Sequence, residues 1–218
     1  MIVSKKLLKQ KTKLTKKKIN KLRGLAACEE SQAVCKAFRN LGHEFYSCDL
    51  RPCSGGHPEW HLQQDVLPLL ELDWDIIIAF PPCTYLSHMG AVRLFKDKHL
   101  NLERYLKGIE ARDFFTKFYN CECKKIAIEN PQYSTIYQLP KHSQVINPWQ
   151  FGHPYCKKTL LWLKGLPYLR PTKIMYERSP AMKSRWFGHC QGDRSLHRSK
   201  LFPGIAQAMA EQWGGQCE

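Results

Sequence analysis

A chain of 218 residues with 43% apolar content is long enough for one α/β domain with a substantial core, plus a tail. No stretch approaches the ~20 apolar residues of a membrane span, which excludes a spanning helix and predicts a soluble protein with no membrane partner. The net charge of +15 is uneven: residues 1–23 hold nine Lys, one Arg and no acid, leaving +5 for residues 24–218, so the basic character is mostly a tail.

That tail, Lys5-Lys6-Leu7-Leu8-Lys9 through Lys16-Lys17-Lys18, lacks the apolar run of a secretion signal and is Lys-rich where a transit peptide is Arg- and Ser-rich. It reads as a flexible or weakly helical arm that binds phosphates non-specifically, or as a solvated extension of no function. Ten Cys at irregular spacing, several inside apolar runs, fit reduced thiols in a cytoplasmic protein, and no disulfides are predicted.

From Gly24 the pattern predicts a strand at Leu25-Ala26-Ala27, a helix over 31–41 with Ala33, Val34, Ala37, Phe38 and Leu41 on one face, and a strand at Phe45-Tyr46-Ser47-Cys48. Gly42-His43 ends the helix, and Pro52, Gly55, Gly56 and Pro58 make residues 51–61 a loop, with Asp65 ending or following a short third strand. The β-branched run 75–80 reads as a strand buried on both faces. A long helix over 101–119 is predicted to turn Leu102, Leu106, Ile109, Phe114, Phe115 and Phe118 to the core, and a strand ends at Glu129. Residues 145–151 and 159–163 read as a final hairpin, 204–213 as a terminal helix, and 164–198 as a short insertion without period. Alternating strands and helices predict a doubly wound, mostly parallel sheet in residues 24–218.

Two turns carry the chemistry. Phe80-Pro81-Pro82-Cys83-Thr84 and Ile128-Glu129-Asn130-Pro131 each follow an apolar run, which puts a thiol and a carboxylate at strand ends, where open α/β sheets bind ligands. Two prolines fix the backbone before Cys83, so the thiol is held as a nucleophile requires; Pro-Pro-Cys alone fits a buried structural thiol equally well. A carboxylate after a buried strand must be paired, solvated or raised in pKa.

These turns, in this order, resemble the DNA cytosine-5 methyltransferases. Asp75-Ile76-Ile77-Ile78-Ala79-Phe80-Pro81-Pro82-Cys83-Thr84-Tyr85-Leu86-Ser87 is similar to the family's strand and nucleophile loop, and Glu129-Asn130 to its Glu-Asn-Val, with Pro131 in place of valine. The resemblance runs through most of residues 24–213: Leu25-Ala26-Ala27-Cys28-Glu29-Glu30-Ser31 falls on the cofactor loop, Asp49 on the acid for the ribose hydroxyls, and Asp65-Val66 near the adenine. Phe151-Gly152-His153-Pro154-Tyr155-Cys156-Lys157-Lys158-Thr159 falls on the Tyr-Gly-Val-Pro-Gln-Arg-x-Arg segment, and Phe202-Pro203-Gly204-Ile205-Ala206-Gln207-Ala208-Met209-Ala210 on the helix closing the cofactor pocket.

The resemblance implies a Rossmann-like fold and S-adenosylmethionine-dependent methylation of cytosine in double- or single-stranded DNA by a monomer. Cys83 would add to ring carbon 6 as a thiolate favoured by nearby positive charge, for which Lys157 is the candidate, and protonated Glu129 would assist at ring nitrogen 3. It implies cofactor contacts from Cys28, Glu29, Glu30, Ser31, Asp49, Asp65, Val66, Phe80 and Pro82, and substrate contacts from Ser87, Asn130, Lys157 and Thr159. A target base must be flipped out or single-stranded. The insertion, with Lys164, Arg170, Lys173, Arg178, Lys183, Arg185, Arg194 and Arg198 interleaved with Trp186, Phe187 and His189, suits phosphates and unstacked bases, or is a solvated face.

The departures are specific. Cys28-Glu29-Glu30-Ser31 stands where glycines let a backbone approach the ligand, and Lys157 and Thr159 replace the family's arginines. An inactive nucleic-acid binder on the same fold, methylation at another base position, and a free nucleotide as substrate are therefore the alternatives. Cys48, Cys53, His57 and His61 have the spacing of a structural zinc site and Cys121-x-Cys123 is a second thiol pair, but Asp49 is wanted for the ribose and no metal is predicted.

Overall fold

In the computed structural model, which describes residues 20–177 and 200–215, the apolar runs become the strands of one sheet. Chain order is β1 (Arg23–Ala27), α1 (Ala33–Arg39), β2 (Glu44–Asp49), β3 (His61–Gln63), β4 (Ile76–Ala79), α2 (His88–Ala91), β5 (Phe95–Lys96), β6 (His99–Leu100), α3 (Leu102–Asn120), β7 (Ile126–Pro131), β8 (Gln144–Ile146), β9 (Thr159–Lys164) and α4 (Pro203–Met209). Seven strands lie in the order β3-β2-β1-β4-β7-β9-β8, and β5-β6 is a separate ribbon. All pairings from β3 to β7 are parallel, and β9 runs antiparallel to both β7 and β8. This doubly wound, mostly parallel sheet with its antiparallel C-terminal hairpin is the Rossmann-like fold expected from the sequence.

The period of two along β4 explains the layering. Ile76 and Ile78 pack with Val34, Phe38, Ile205, Met209 and Trp213 on the α1/α4 side, while Ile77 and Ala79 pack with Phe115, Phe118, Tyr137 and Trp162 on the α3 side. β1 does the same with Ala26 on one side and Leu25 and Ala27 on the other. Both strands are buried on both faces, which is why neither shows a polar alternation.

Several predicted boundaries shift for physical reasons. α3 starts at an Asn101 cap, whose side chain accepts from Arg104 N at 3.0 Å, but Leu102 and Leu106 are 61% and 51% exposed rather than core-facing. In the first turns of α3 Tyr105 packs against the core, stacked on Tyr137, and the first fully buried position is Gly108, where the absent Cβ lets Tyr137 pack against the helix. The predicted strand 145–151 stops at Ile146, because Pro148 has no N–H for a ladder and starts a tight turn instead. The terminal helix continues beyond Met209 as one wide turn, Ala210–Gly214. Among the described residues no helix is long and apolar enough to cross a membrane.

Residues 1–19 of the basic tail lie outside the described residues, as do Arg178, Lys183, Arg185, Trp186, Phe187, His189, Arg194 and Arg198 of the predicted insertion. Arg23 belongs to β1, with its N–H on Asp75 at 2.7 Å and its guanidinium 4.7 Å over the Trp74 ring. Lys164 pairs with Ile126 at the start of β7, which puts it at the opposite end of the strands from the β4 terminus that leads to Cys83; its ammonium donates to Cys121 O at 2.8 Å.

Candidate active site

Register brings the two turns together. Ala79 is level with Ala27 on one side and Ile128 on the other, so Phe80 leaves the end of β4 beside Glu129. Glu129 itself remains in the sheet, paired with Leu161 of β9, because β7 runs past the strand end predicted at Glu129 and continues to Pro131. The order of strands reverses between β1 and β4, and this is the switch point at which such sheets form a crevice. Phe80, half-buried on the α1/α4 core, donates its N–H to Ala27 O at 2.9 Å, and Pro82 is exposed.

The Cys83 loop is stitched to the second turn along its length. Asn130, 1% exposed, donates from Nδ2 to Pro81 O at 2.9 Å. Beyond Cys83, Ser87 N donates to Cys83 O at 2.9 Å, while His88 N to Gln132 O and Ser134 N to Leu86 O (both 2.8 Å) tie the loop to the chain after β7. Ser87 caps α2 by accepting from Gly90 N at 3.1 Å, and the Arg104 guanidinium lies 4.9 Å over the Tyr85 ring while donating to Thr84 O and Gly90 O. Cys83 is thus a half-buried thiol on a backbone fixed on both sides. Asn130→Ala removes the tie to Pro81 and leaves that buried carbonyl unpaired. It is expected to lower stability by about 1–3 kcal/mol in urea denaturation.

Glu129 retains some exposure as a residue, but its carboxyl group is enclosed. Burial raises its pKa above the ordinary carboxylate range, with the Lys157 charge opposing only in part. Thr159 pairs with Pro131 at the start of β9; its buried hydroxyl donates to Lys157 O at 3.3 Å, so β9 leads Lys157 toward Glu129. Glu129 is therefore suited to acid chemistry.

On the cofactor side, the loop after β1 adopts left-handed backbone at two residues with side chains, Cys28 (φ 58°) and Gln32 (φ 57°), where glycine is the usual solution. Two carboxylates hold very different places. Glu29, 5% exposed, receives Val34 N at 2.7 Å and Cys35 N at 3.2 Å, so it occupies the first amides of α1. Burial raises it from 4.5 to about 7 even though these donors favour its anion. Glu30 Oε1 is buried with no hydrogen-bond partner, and Lys200 Nζ stands 3.6 Å away. Ser31 is half-buried between them and Gln32, which clamps the next loop by donating to His57 O (2.7 Å) and accepting from His57 N (3.0 Å).

Asp49 ends β2 and accepts from Arg51 N at 2.9 Å; Asp65 follows β3, accepts from Leu67 N at 3.0 Å, and precedes the buried Val66. The Cys28 thiol is pushed above its ordinary range, first by burial and then by the charges of Asp49, Cys48 and Asp65, so both carboxylates act on one point beside the end of β1. Asp49 and Asp65 are thereby grouped with the loop after β1. Gln32 and Lys200 carry no signal in the sequence: a left-handed φ leaves no mark on a glutamine, and Lys200 is one cation among many.

A pH test isolates Glu29. Its folded value of about 7 lies above the ordinary 4.5, so the folded chain binds the proton more tightly and stability falls as pH rises between those values, by about 3 kcal/mol at about 1.4 kcal/mol per pH unit. Denaturation across pH 4.5–7 is expected to show this slope in the wild type and a flatter one in Glu29→Gln.

The zinc spacing does not assemble. Cys48 donates to Gln64 O, His61 bridges Ser47 and Arg51 O, and His57 pairs with Glu59; among the described residues no three His, Cys, Asp or Glu side chains are grouped to hold a metal. Two depressions, about 560 Å³ beside Arg39, His43 and Trp60 and about 1100 Å³ around Leu70, Trp74 and Cys121, are lined by neither Cys83 nor Glu129.

No protein-family profile and no curated protein sequence matches the chain. Among solved structures it is similar to the Entamoeba histolytica methyltransferase EhMeth, at TM-score 0.48 and 12% identity over 79% of this chain and 62% of that one. It is also similar to the S. pombe Dnmt2 methyltransferase (TM-score 0.40, 13% identity, 68% of this chain and 51% of that one) and to a mutant Spodoptera frugiperda DNMT2 (0.37, 16%, 73% and 56%). The chain spans about half to three fifths of the length of these proteins. At such scores the likeness carries no weight for activity, and the functional reading rests on the two turns and the residues around them.

Proposed function

We propose that this chain methylates cytosine at ring carbon 5 in DNA with S-adenosylmethionine, through a covalent adduct of Cys83 assisted by Glu129. The observation that carries the reading is the enclosed Glu129 carboxyl, whose pKa burial raises, next in sequence to Asn130, whose bond to Pro81 O ties it to the rigidly held Cys83 turn. Carbon 5 of cytosine is a poor nucleophile until a group adds at carbon 6. The Cys83 thiolate forms that bond while the Glu129 acid gives its proton to ring nitrogen 3, which makes carbon 5 an enamine terminus. After methyl transfer, loss of the carbon 5 proton to a base and cleavage of the C–S bond restore the ring, and the proton on nitrogen 3 returns to Glu129.

The residues at the ends of β1, β2 and β3 fit the cofactor, which supplies an electrophilic methyl group when bound. Asp49 suits ribose hydroxyls, Asp65 and Val66 suit the adenine, and the orphaned Glu30 oxygen suits a cationic donor. Asn130 and Thr159, both buried, act as positioning residues for Cys83 and Lys157. One observation favours a second reading, an inactive nucleic-acid binder: Glu29 already occupies amides at the start of α1 that a ligand carboxylate would otherwise use.

Incubation with methyl-labelled S-adenosylmethionine and cytosine-containing DNA, followed by digestion to nucleosides, separates these readings. Label in 5-methylcytosine is expected. Label on the exocyclic amine overturns the proposed chemistry, and no label together with DNA binding supports the inactive binder.

A further inference from the structure

Glu29 and Glu30 are neighbours in sequence and opposites in circumstance. Glu29 is fully engaged by two α1 amides, so its charge is answered within the protein. Glu30 is more than nine-tenths buried, its Oε1 has no hydrogen bond, and an enclosed carboxylate oxygen left in that state is unfavourable unless something else donates to it. Lys200 does not: at 3.6 Å it contributes charge, and its hydrogen bond goes to Ser54 Oγ at 3.0 Å. Ser54 N in turn donates to Glu30 O at 2.8 Å. Three segments meet here: the loop after β1, the loop after β2, and the chain leading into α4. They leave an acceptor lacking a donor next to a cation whose side chain is about one third exposed.

We infer that Glu30 and Lys200 form a clamp for an α-amino-acid zwitterion, Glu30 taking the ammonium and Lys200 the carboxylate of the cofactor's amino-acid end. This rests on the cofactor reading above and deepens it. Because Glu29 takes the Val34 and Cys35 amides of α1, a ligand carboxylate gains from another positive partner, and Lys200 is a cation beside the orphaned acceptor. An ammonium brings three donors to Glu30, and its arrival lets both charges of the Glu30–Lys200 pair find opposite charges on one ligand. The clamp thus selects adenosine thioethers that carry an amino acid over those that do not.

Calorimetry with S-adenosylhomocysteine and with 5′-methylthioadenosine, which lacks the amino-acid end, tests this on the full chain and on Glu30→Gln and Lys200→Met. The wild type is expected to prefer S-adenosylhomocysteine, and each variant to lose at least about tenfold in affinity for it while binding 5′-methylthioadenosine unchanged. Without ligand, Glu30→Gln is expected to melt at or near the wild-type temperature, since the buried carboxylate oxygen that lacks a donor is removed together with its 3.6 Å ion pair to Lys200. Unchanged S-adenosylhomocysteine affinity in both variants, equal loss for both ligands, or a large drop in melting temperature overturns the clamp alone. A wild type that binds neither nucleoside overturns the cofactor reading and the clamp with it.

Discussion

Cys83→Ser is expected to lower methyl transfer by about 10³-fold or more while changing stability by less than about 1 kcal/mol. A serine hydroxyl at this position has no base assigned to deprotonate it and is a far weaker nucleophile than a thiolate at neutral pH. The loop itself does not depend on the thiol: Pro81 is held by Asn130, the Cys83 carbonyl receives Ser87 N, and Leu86, Ser87 and His88 are tied to residues 132–134 through backbone groups. Single-turnover transfer measured beside chemical denaturation separates lost chemistry from lost structure. A variant that keeps wild-type rates removes Cys83 from the mechanism.

Glu129→Gln is expected to cost about 10²–10⁴-fold in transfer rate, the range for removing a positioned acid. Its amide can still donate a hydrogen bond to ring nitrogen 3 but cannot release a proton. The pH profile is the sharper readout. Burial raises the Glu129 pKa, so the group is an acid below that value and the rate should fall as pH rises through it; Glu129→Gln should lose this alkaline limb. Stability moves the same way. A carboxyl with a raised folded pKa destabilises the fold progressively above the ordinary 4.5, so Glu129→Gln should be the more stable protein at neutral pH. An alkaline limb that persists in the variant assigns that titration to another group.

Much of this site is legible in the amino-acid sequence because its signals are local. Ile76–Ala79 and the start of β7, residues 126–128, are apolar runs, the Pro-Pro pair cannot continue a ladder, and Asp49 ends the second strand while Asp65 follows the third. The rest depends on contacts far apart along the chain. The insertion of β9 between β7 and β8 comes from β7–β9 partners that lie 28 to 38 residues apart along the chain, and this pairing brings Lys157 toward Glu129. Leu102 and Leu106 obey the helical period of α3, yet among the described residues both stay largely exposed, because the period says which side a residue takes and not what packs against that side. Glu29 and Glu30 read as a pair of acids in place of glycines. Only the fold separates the one that caps α1 from the one left without a donor.

The central claim is a covalent bond between Cys83 and cytosine carbon 6. Incubating the protein with S-adenosylmethionine and DNA carrying 5-fluorocytosine blocks loss of the group at carbon 5 and so prevents release of the adduct. Denaturing electrophoresis and peptide mass spectrometry are predicted to find the wild-type chain crosslinked to DNA through Cys83, and Cys83→Ser free of it. Methylation of ordinary cytosine DNA with no 5-fluorocytosine adduct, or an adduct on another residue, contradicts the account.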